Sequence, residues 1–287
     1  MDVSTLSVAR SARSDGYAVP AVNVFDEISM RAVIAAAEQT RAPLIVQIST
    51  KTVRTAGCAF ITDLFRALAR DATVPIALHL DHCPDRAVID EVVAAGWSSV
   101  LFDASDRGFD DAVRETVEVV EQAHAAGVDV ESEIENILGV EDGVGSDDAR
   151  HSYSVEQLAE VGARTDSDLL APQLGTSHGL YKAHPVLLPE RAAALAALTD
   201  RPIVLHGGTG LTERDFRSFI EAGVSKINIS TAVKHAYMQA SLAHLEQARE
   251  RDSWDPPKLF AAVSTAVTHV IAEHVSWFGA DGKAGPR

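Results

Sequence analysis

Three histidines stand where short apolar runs give way to polar loops: His82 ends PIALHLDH, His178 lies in GTSHGLYK and His206 in PIVLHGGTG. Neutral imidazole is the commonest metal ligand, and three protein ligands with one open position describe a catalytic zinc site. Their separations, 178 − 82 = 96 and 206 − 178 = 28 residues, fit no local zinc motif. Only a fold that gathers the three run ends can make them a site. The competing reading, a hydrogen-bonded core or loop histidine, suits any one of them alone, and it is kept for His124, His244 and His269 on helical segments. Carboxylates accompany the three: Asp81 beside His82, Asp103 ending SSVLFD, Glu131 and Glu133 in VDVESEI, and Glu141 in GVED. His79, three residues before His82, has the opposite orientation on a strand and either packs outside or supports the site.

Two glycine- and hydroxyl-bearing segments point to phosphate. HGGTG (206–210) follows a strand and precedes a helix, so backbone N–H groups and the Thr209 hydroxyl can surround an anion. NIST (228–231) does the same one strand later, and Lys182 adds a charge. Tight turns are the plainer reading, and neither segment has the spacing of a dinucleotide fingerprint.

The elements that must position these groups are visible as periodicity. Eight short Val-, Ile- and Leu-rich runs, at 17–24, 43–49, 75–82, 98–103, 128–134, 167–173, 202–207 and 226–230, read as strands buried on both faces. Segments of helical period separate them, including 27–40, 61–72 and 110–127. The repeat predicts an α/β fold, a (β/α)8 TIM barrel, with a doubly wound open sheet as the alternative. A barrel places its chemistry at the C-terminal ends of the strands, where every residue singled out above falls. Two long helices, 234–251 and 257–278, follow the eighth strand and are separated by WDPP. They form a C-terminal helical extension (about 234–287) of a single domain spanning 1–287, and the second is long enough to serve a subunit interface.

Composition narrows the partners. The 287 residues carry 25 Lys and Arg against 41 Asp and Glu, and 25 − 41 = −16. Such a surface disfavours nucleic acid and anionic membranes, which need clustered cations. Two cysteines, Cys58 and Cys83, form no framework, so a reducing, cytoplasmic location is expected. No signal peptide and no apolar run of about 20 residues is read from the sequence.

In colinear order, YAVPAVNV, VPIALHLDH, GWSSVLFDAS, GVDVESEI, GVED, GTSHGLYKAHP, RPIVLHGGTGL, GVSKINIST and DPPKLF resemble the class II, zinc-dependent ketose-bisphosphate aldolases of the fructose- and tagatose-bisphosphate group. The resemblance implies that His82, His178 and His206 bind the catalytic zinc and that Asp81 is the proton donor. It implies that Asp103 and Glu133 hold a second divalent ion and that Glu141 shuttles the carbon-bound proton. Gly179, Gly207, Gly208, Thr209, Asn228, Ile229, Ser230 and Thr231 match a cradle for dihydroxyacetone phosphate, and Ser49 a contact to the aldehyde. A monovalent cation, Na+ or K+, near the phosphate is implied, as is a homodimer or homotetramer.

Departures from the family pattern bear on substrate. Asp26 and Ile28 stand where relatives have asparagine and glutamate, Cys83 follows the first zinc histidine in place of glycine, and Glu135 and Leu138 replace glycines before Glu141. Ser230 replaces the aspartate of fructose-selective relatives, and Lys234 stands where a distal-phosphate arginine is found, as a phosphate contact or an ordinary helix lysine. Pro172 is expected to end the sixth strand early. The implied reaction is cleavage of a ketose 1,6-bisphosphate to dihydroxyacetone phosphate and an aldehyde such as glyceraldehyde 3-phosphate. The alternatives are a related ketose 1-phosphate derived from an inositol or deoxy sugar, and a non-catalytic phosphosugar-binding subunit.

Overall fold

The computed structural model describes residues 3–141, 144–146, 151–179 and 185–285, of which 140, 141 and 144–146 are described by backbone alone. Eight parallel strands close into a barrel: β1 (Val19–Asn23), β2 (Leu44–Ser49), β3 (Ile76–Cys83), β4 (Ser99–Asp103), β5 (Asp129–Glu133), β8 (Leu169–Leu170), β9 (Ile203–Leu205) and β10 (Val224–Ile229). β1 pairs with β2 on one side and β10 on the other, which removes every edge from the sheet. The open-sheet alternative is thereby excluded. An antiparallel pair, β6 (Gly139–Glu141) and β7 (Val144–Ser146), projects from the loop after β5.

Both faces of each barrel strand are covered, which is why the strands read as continuous apolar runs, and their Val, Ile and Leu side chains are all buried. β8 is cut to two residues, and Pro172 follows it, as a residue without an N–H must. The predicted helix at 27–40 is α2 (Glu27–Thr40), started by a capping box between Asp26 and Ser29. Those predicted at 61–72 and 110–127 are α4 (Cys58–Ala69) and α6 (Phe109–Ala125).

The first helix is not foreseen from the sequence. α1 (Thr5–Asp15) is capped by Ser4 and stopped by Gly16 in the left-handed region. Its buried face is mostly small, Thr5, Ala9 and Ala12 beside Val8, so its apolar period is faint in the sequence. It lies under the N-terminal end of the barrel. Asp129 at the start of β5 accepts from Ser4 Oγ and Leu6 N, both at 2.8 Å, and Thr5 Oγ1 lies 2.6 Å from Ser99 Oγ at the start of β4. The Arg13 guanidinium donates to the carbonyls of Ala196, Thr199 and Arg201. The floor of the barrel is thus closed, and the opposite mouth is left for ligands.

The two C-terminal helices are α10 (Thr231–Glu250) and α11 (Pro256–Trp277), with Pro256 and Pro257 at the first positions of the second. By length and composition alone α11 could cross a membrane, contrary to the reading that no apolar run approaches that length. In the fold it packs along α2 and α10, with Val263, Val267, Ile271 and Val275 buried at a spacing of one helical turn. Its other face is in part open.

Candidate active site at the barrel mouth

Asp81 and His82 are neighbours, and strict strand alternation would turn them to opposite faces. Two features of β3 prevent that. His82 has φ 39°, in the left-handed region that a histidine rarely occupies, and the β3–β4 register slips between Leu80 and Cys83. The bulge turns the His82 ring to the mouth while Asp81, in register with Ser49 of β2, stays inside. A strained residue at a cluster of polar side chains is a common mark of a functional site.

The three histidines meet. Ring centroids of His82 lie 4.8 Å from those of His178 and 4.6 Å from those of His206, and one nitrogen of each falls within 4.8 Å of the others. His82 Nε2 and His206 Nδ1 face each other at 2.9 Å. A second group, His82 with Asp103 and Glu133, is equally compact. Glu133 Oε2 lies 3.5 Å from a ring nitrogen of both His82 and His206 and has no hydrogen-bond donor among the described residues.

Burial dominates the protonation of this cluster. It pushes His178 and His206 well below the ordinary histidine value, with the His82 charge adding to the effect. Burial opposes charge on His82 too, but the Glu133, Asp81 and Asp103 carboxylates outweigh it and raise that imidazole. Burial raises Glu133 well above the carboxylate range. For Asp81 burial acts upward and is overcome by His82, His206, Lys226 and the Asn23 amide, so it is held ionised. Three converging imidazoles, with a carboxylate oxygen beside them that has no donor among the described residues, form a donor set that fits a divalent cation, and the carboxylates that draw positive charge to His82 would favour a metal ion there in place of its proton.

Beneath the histidines lies a buried support. His206 Nε2 is 2.9 Å from Glu131 Oε1, and Glu131 Oε2 is 2.8 Å from Lys226 Nζ. All three side chains are fully buried. Lys226 donates to Asn228 Oδ1 at 2.8 Å, and Asn228 Nδ2 donates to Asp81 Oδ1 at 3.3 Å. The other Asp81 oxygen accepts from Asn23 Nδ2 at 2.7 Å, and Asn23 accepts in turn from Gln47 at 2.9 Å. His79 points inward, 2.7 Å from Ser99 Oγ and 3.8 Å from Glu131 Oε2, so it supports the site rather than packing outside.

The family model described as "Fructose-bisphosphate aldolase class-II" matches residues 3–283. This chain belongs to the class-II fructose-bisphosphate aldolase family. It is an aldolase, a carbon–carbon lyase. A fructose-bisphosphate aldolase of Thermus caldophilus is 32% identical over 308 residues, covering 99% of this chain and all of the relative. Among solved structures, the YdjI aldolase of Escherichia coli K12 superposes with a TM-score of 0.87 at 29% identity, over 99% of this chain and 100% of that one. A putative fructose-1,6-bisphosphate aldolase of Coccidioides immitis gives 0.89 at 28% identity, over 98% and 97%.

The structure of this aldolase brings most of the other singled-out residues to the same mouth. Gly207, at φ 68°, has a backbone that only a glycine can present there: a Cβ would stand 2.4 Å from the Ser177 carbonyl oxygen. Thr209 Oγ1 accepts from Ala232 N at 3.2 Å and so caps α10. Ser230 Oγ is buried without a hydrogen-bond partner among the described residues, between Ile229, which is core, and Thr231, which opens α10. Ser49 caps α3 (Thr50–Ala56) through Thr52 N. Asp103 accepts from Ser105 N and Oγ. Lys234 and Lys51 line a cavity of about 450 Å³ with Asn23, Phe25, Thr52 and Met238. Gly179 follows His178 directly. Lys182 lies outside the described residues, and Glu141 is described by its backbone, as the last residue of β6.

The residues missed are interior amides, Asn23 and Gln47. A charged or amide residue at an inward position of a strand otherwise built from Val, Ile and Leu is the signal that could have found them, since such groups are buried only when partnered.

Proposed function

We propose that this enzyme is a zinc-dependent aldolase that reversibly cleaves a ketose 1,6-bisphosphate of the fructose or tagatose type to dihydroxyacetone phosphate and an aldehyde such as glyceraldehyde 3-phosphate. The observation that carries the reading is the convergence of His82, His178 and His206 on one point with the ionised Asp81 beside them. Those three histidines would hold the zinc. When bound, zinc supplies Lewis acidity toward the substrate's ketone. Asp103 and Glu133, with His82, would hold a second divalent ion.

In cleavage, Asp81 takes the proton of the hydroxyl on the aldehyde-forming carbon; in condensation it returns that proton to the alkoxide oxygen. Its hydrogen bonds from Asn23 and Asn228 keep it ionised and aimed. Glu141 carries the proton to and from the carbon of the dihydroxyacetone phosphate half. The phosphate is cradled by the backbone at Gly179, Gly207, Gly208, Ile229 and Ser230, with Thr209, Asn228 and Thr231 beside it, a monovalent cation nearby and Lys182 as a further charge. Such N–H groups at helix starts hold an anion against the chain's net charge of −16.

Ser49 and the cavity bearing Lys51 and Lys234 take the aldehyde half, and the two lysines match an anionic far end. With Ser230 in place of an aspartate, another ketose 1-phosphate remains the second reading. Exposed Met238, Leu242, Leu245 and Phe260 on α10 and α11 support a homodimer or homotetramer.

The test is metal content, then turnover. Zinc should co-purify, chelation should abolish release of dihydroxyacetone phosphate from a panel of ketose phosphates, and zinc should restore it. Asp81→Asn should keep the metal and lose about 10²–10⁴ in kcat. Equal activity of stripped and reloaded enzyme, or full turnover by the variant, sinks the reading.

A further inference from the structure

Glu135, one of the residues that stands in place of a family glycine, is fully buried, and its carboxylate joins four segments. Oε1 accepts from Tyr153 N at 2.8 Å and from Arg191 Nη2 at 2.7 Å, and Oε2 accepts from Gln173 N at 3.0 Å. Arg191, on α8 (Pro189–Ala196), also donates to the Tyr153 carbonyl at 2.8 Å. Gln173 continues the clamp toward His178: its Oε1 accepts from Gly175 N at 2.7 Å and its Nε2 donates to the Thr176 carbonyl at 3.2 Å.

Just beyond, the two clamped segments run side by side. Leu138 and Ser177 form a parallel bridge, and His178 N donates to the Leu138 carbonyl at 2.7 Å. Gly139, at φ 93°, lets the backbones touch, since a Cβ there would lie 2.7 Å from the His178 carbonyl oxygen. Two residues later the same strand reaches Glu141.

Resting on the reading above, we infer that Glu135 and Arg191 are positioning residues that seat the His178 loop against the strand leading to Glu141. One buried clamp thereby sets both the third imidazole of the metal site and the backbone that carries the proton-transfer carboxylate. An anchor that merely stabilised the fold would need no connection to His178. Here the connection is continuous, from Glu135 through Gln173 to Thr176 on one side and from Glu135 along the chain to Leu138 on the other.

The test compares Glu135→Gln and Arg191→Met with Asp168→Asn. Asp168 is a carboxylate that accepts from Val130 N and meets His124, away from the three-histidine cluster, and serves as a control for loss of stability alone. Zinc dissociation constants are measured on folded protein by chelator competition. Exchange of the carbon-bound proton of dihydroxyacetone phosphate with heavy water is measured at saturating zinc. Glu135→Gln and Arg191→Met should each weaken zinc by roughly tenfold or more and slow the exchange, whereas Asp168→Asn should lower Tm and leave zinc affinity at the wild-type value. Wild-type zinc affinity in both clamp variants overturns the inference, whatever happens to Tm. If Glu135→Gln does not fold, Arg191→Met, which leaves Glu135 its two backbone donors, decides. A wild-type protein that binds no zinc would instead overturn the proposed function itself.

Discussion

Lys226→Met removes the only cation facing Glu131 other than the imidazoles among the described residues, and its cost follows from the burial of the pair. Both side chains are at 0% exposure, 2.8 Å apart, so no water can replace the lost ammonium. Deleting one partner of a buried ion pair costs about 3–5 kcal/mol, because the remaining charge is left uncompensated. The lower end applies here, because His206 Nε2 stays 2.9 Å from Glu131 Oε1. With about 2–4 °C of Tm per kcal/mol for a chain near this size, a loss of about 3 kcal/mol lowers Tm by roughly 6–12 °C. The charge-free pair Glu131→Gln with Lys226→Met should be less destabilised than the sum of its singles by about 1–3 kcal/mol. Denaturant unfolding of metal-stripped protein at pH 7.5 measures all four corners of this cycle. A Lys226→Met variant within about 1 kcal/mol of wild type, or strictly additive singles, would refute the view that this pair is coupled beneath the histidines.

Gly207→Ala should cost about 1–2 kcal/mol from its positive φ alone, and the new methyl must push the Ser177 carbonyl and with it His178. Zinc affinity should then fall by about tenfold, read by the same chelator competition. Burial lowers the pKa of His274, which packs against Phe216 and Phe278 and donates from Nδ1 to the Val270 carbonyl at 2.7 Å. The unfolded chain therefore binds the extra proton first, so stability is full above about pH 6.5 and falls as the pH drops below it. His274→Leu should flatten the difference in urea midpoint between pH 7.5 and pH 5.5; an unchanged difference would show that His274 carries none of it.

Local pattern made the barrel legible. Six of the eight strand runs enclose the observed strands and the other two miss them by one or two residues, and the capping signal at Asp26 and Ser29 starts α2 where the periodicity begins. α1 was not legible, because a face of Thr, Ala and Ala has little apolar contrast and owes its place to the barrel floor it covers. The hairpin β6–β7 was likewise silent in sequence, its strands being three residues each.

By itself the sequence determined the donor types, the strand ends they occupy and, through a resemblance spread over nearly the whole chain, the family. Those follow from periodicity and residue chemistry, which are local. Tertiary structure alone decided that Asp81 and His82 share a face, because a left-handed φ and a register slip undo the alternation that neighbours on a strand otherwise obey. It also decided that Glu131, Lys226 and Asn228 form one chain of contacts from His206 to Asp81. Glu131 comes from β5, Lys226 from β10 and His206 from the loop directly after β9, and only closure of the barrel turns these separate positions into a single buried network.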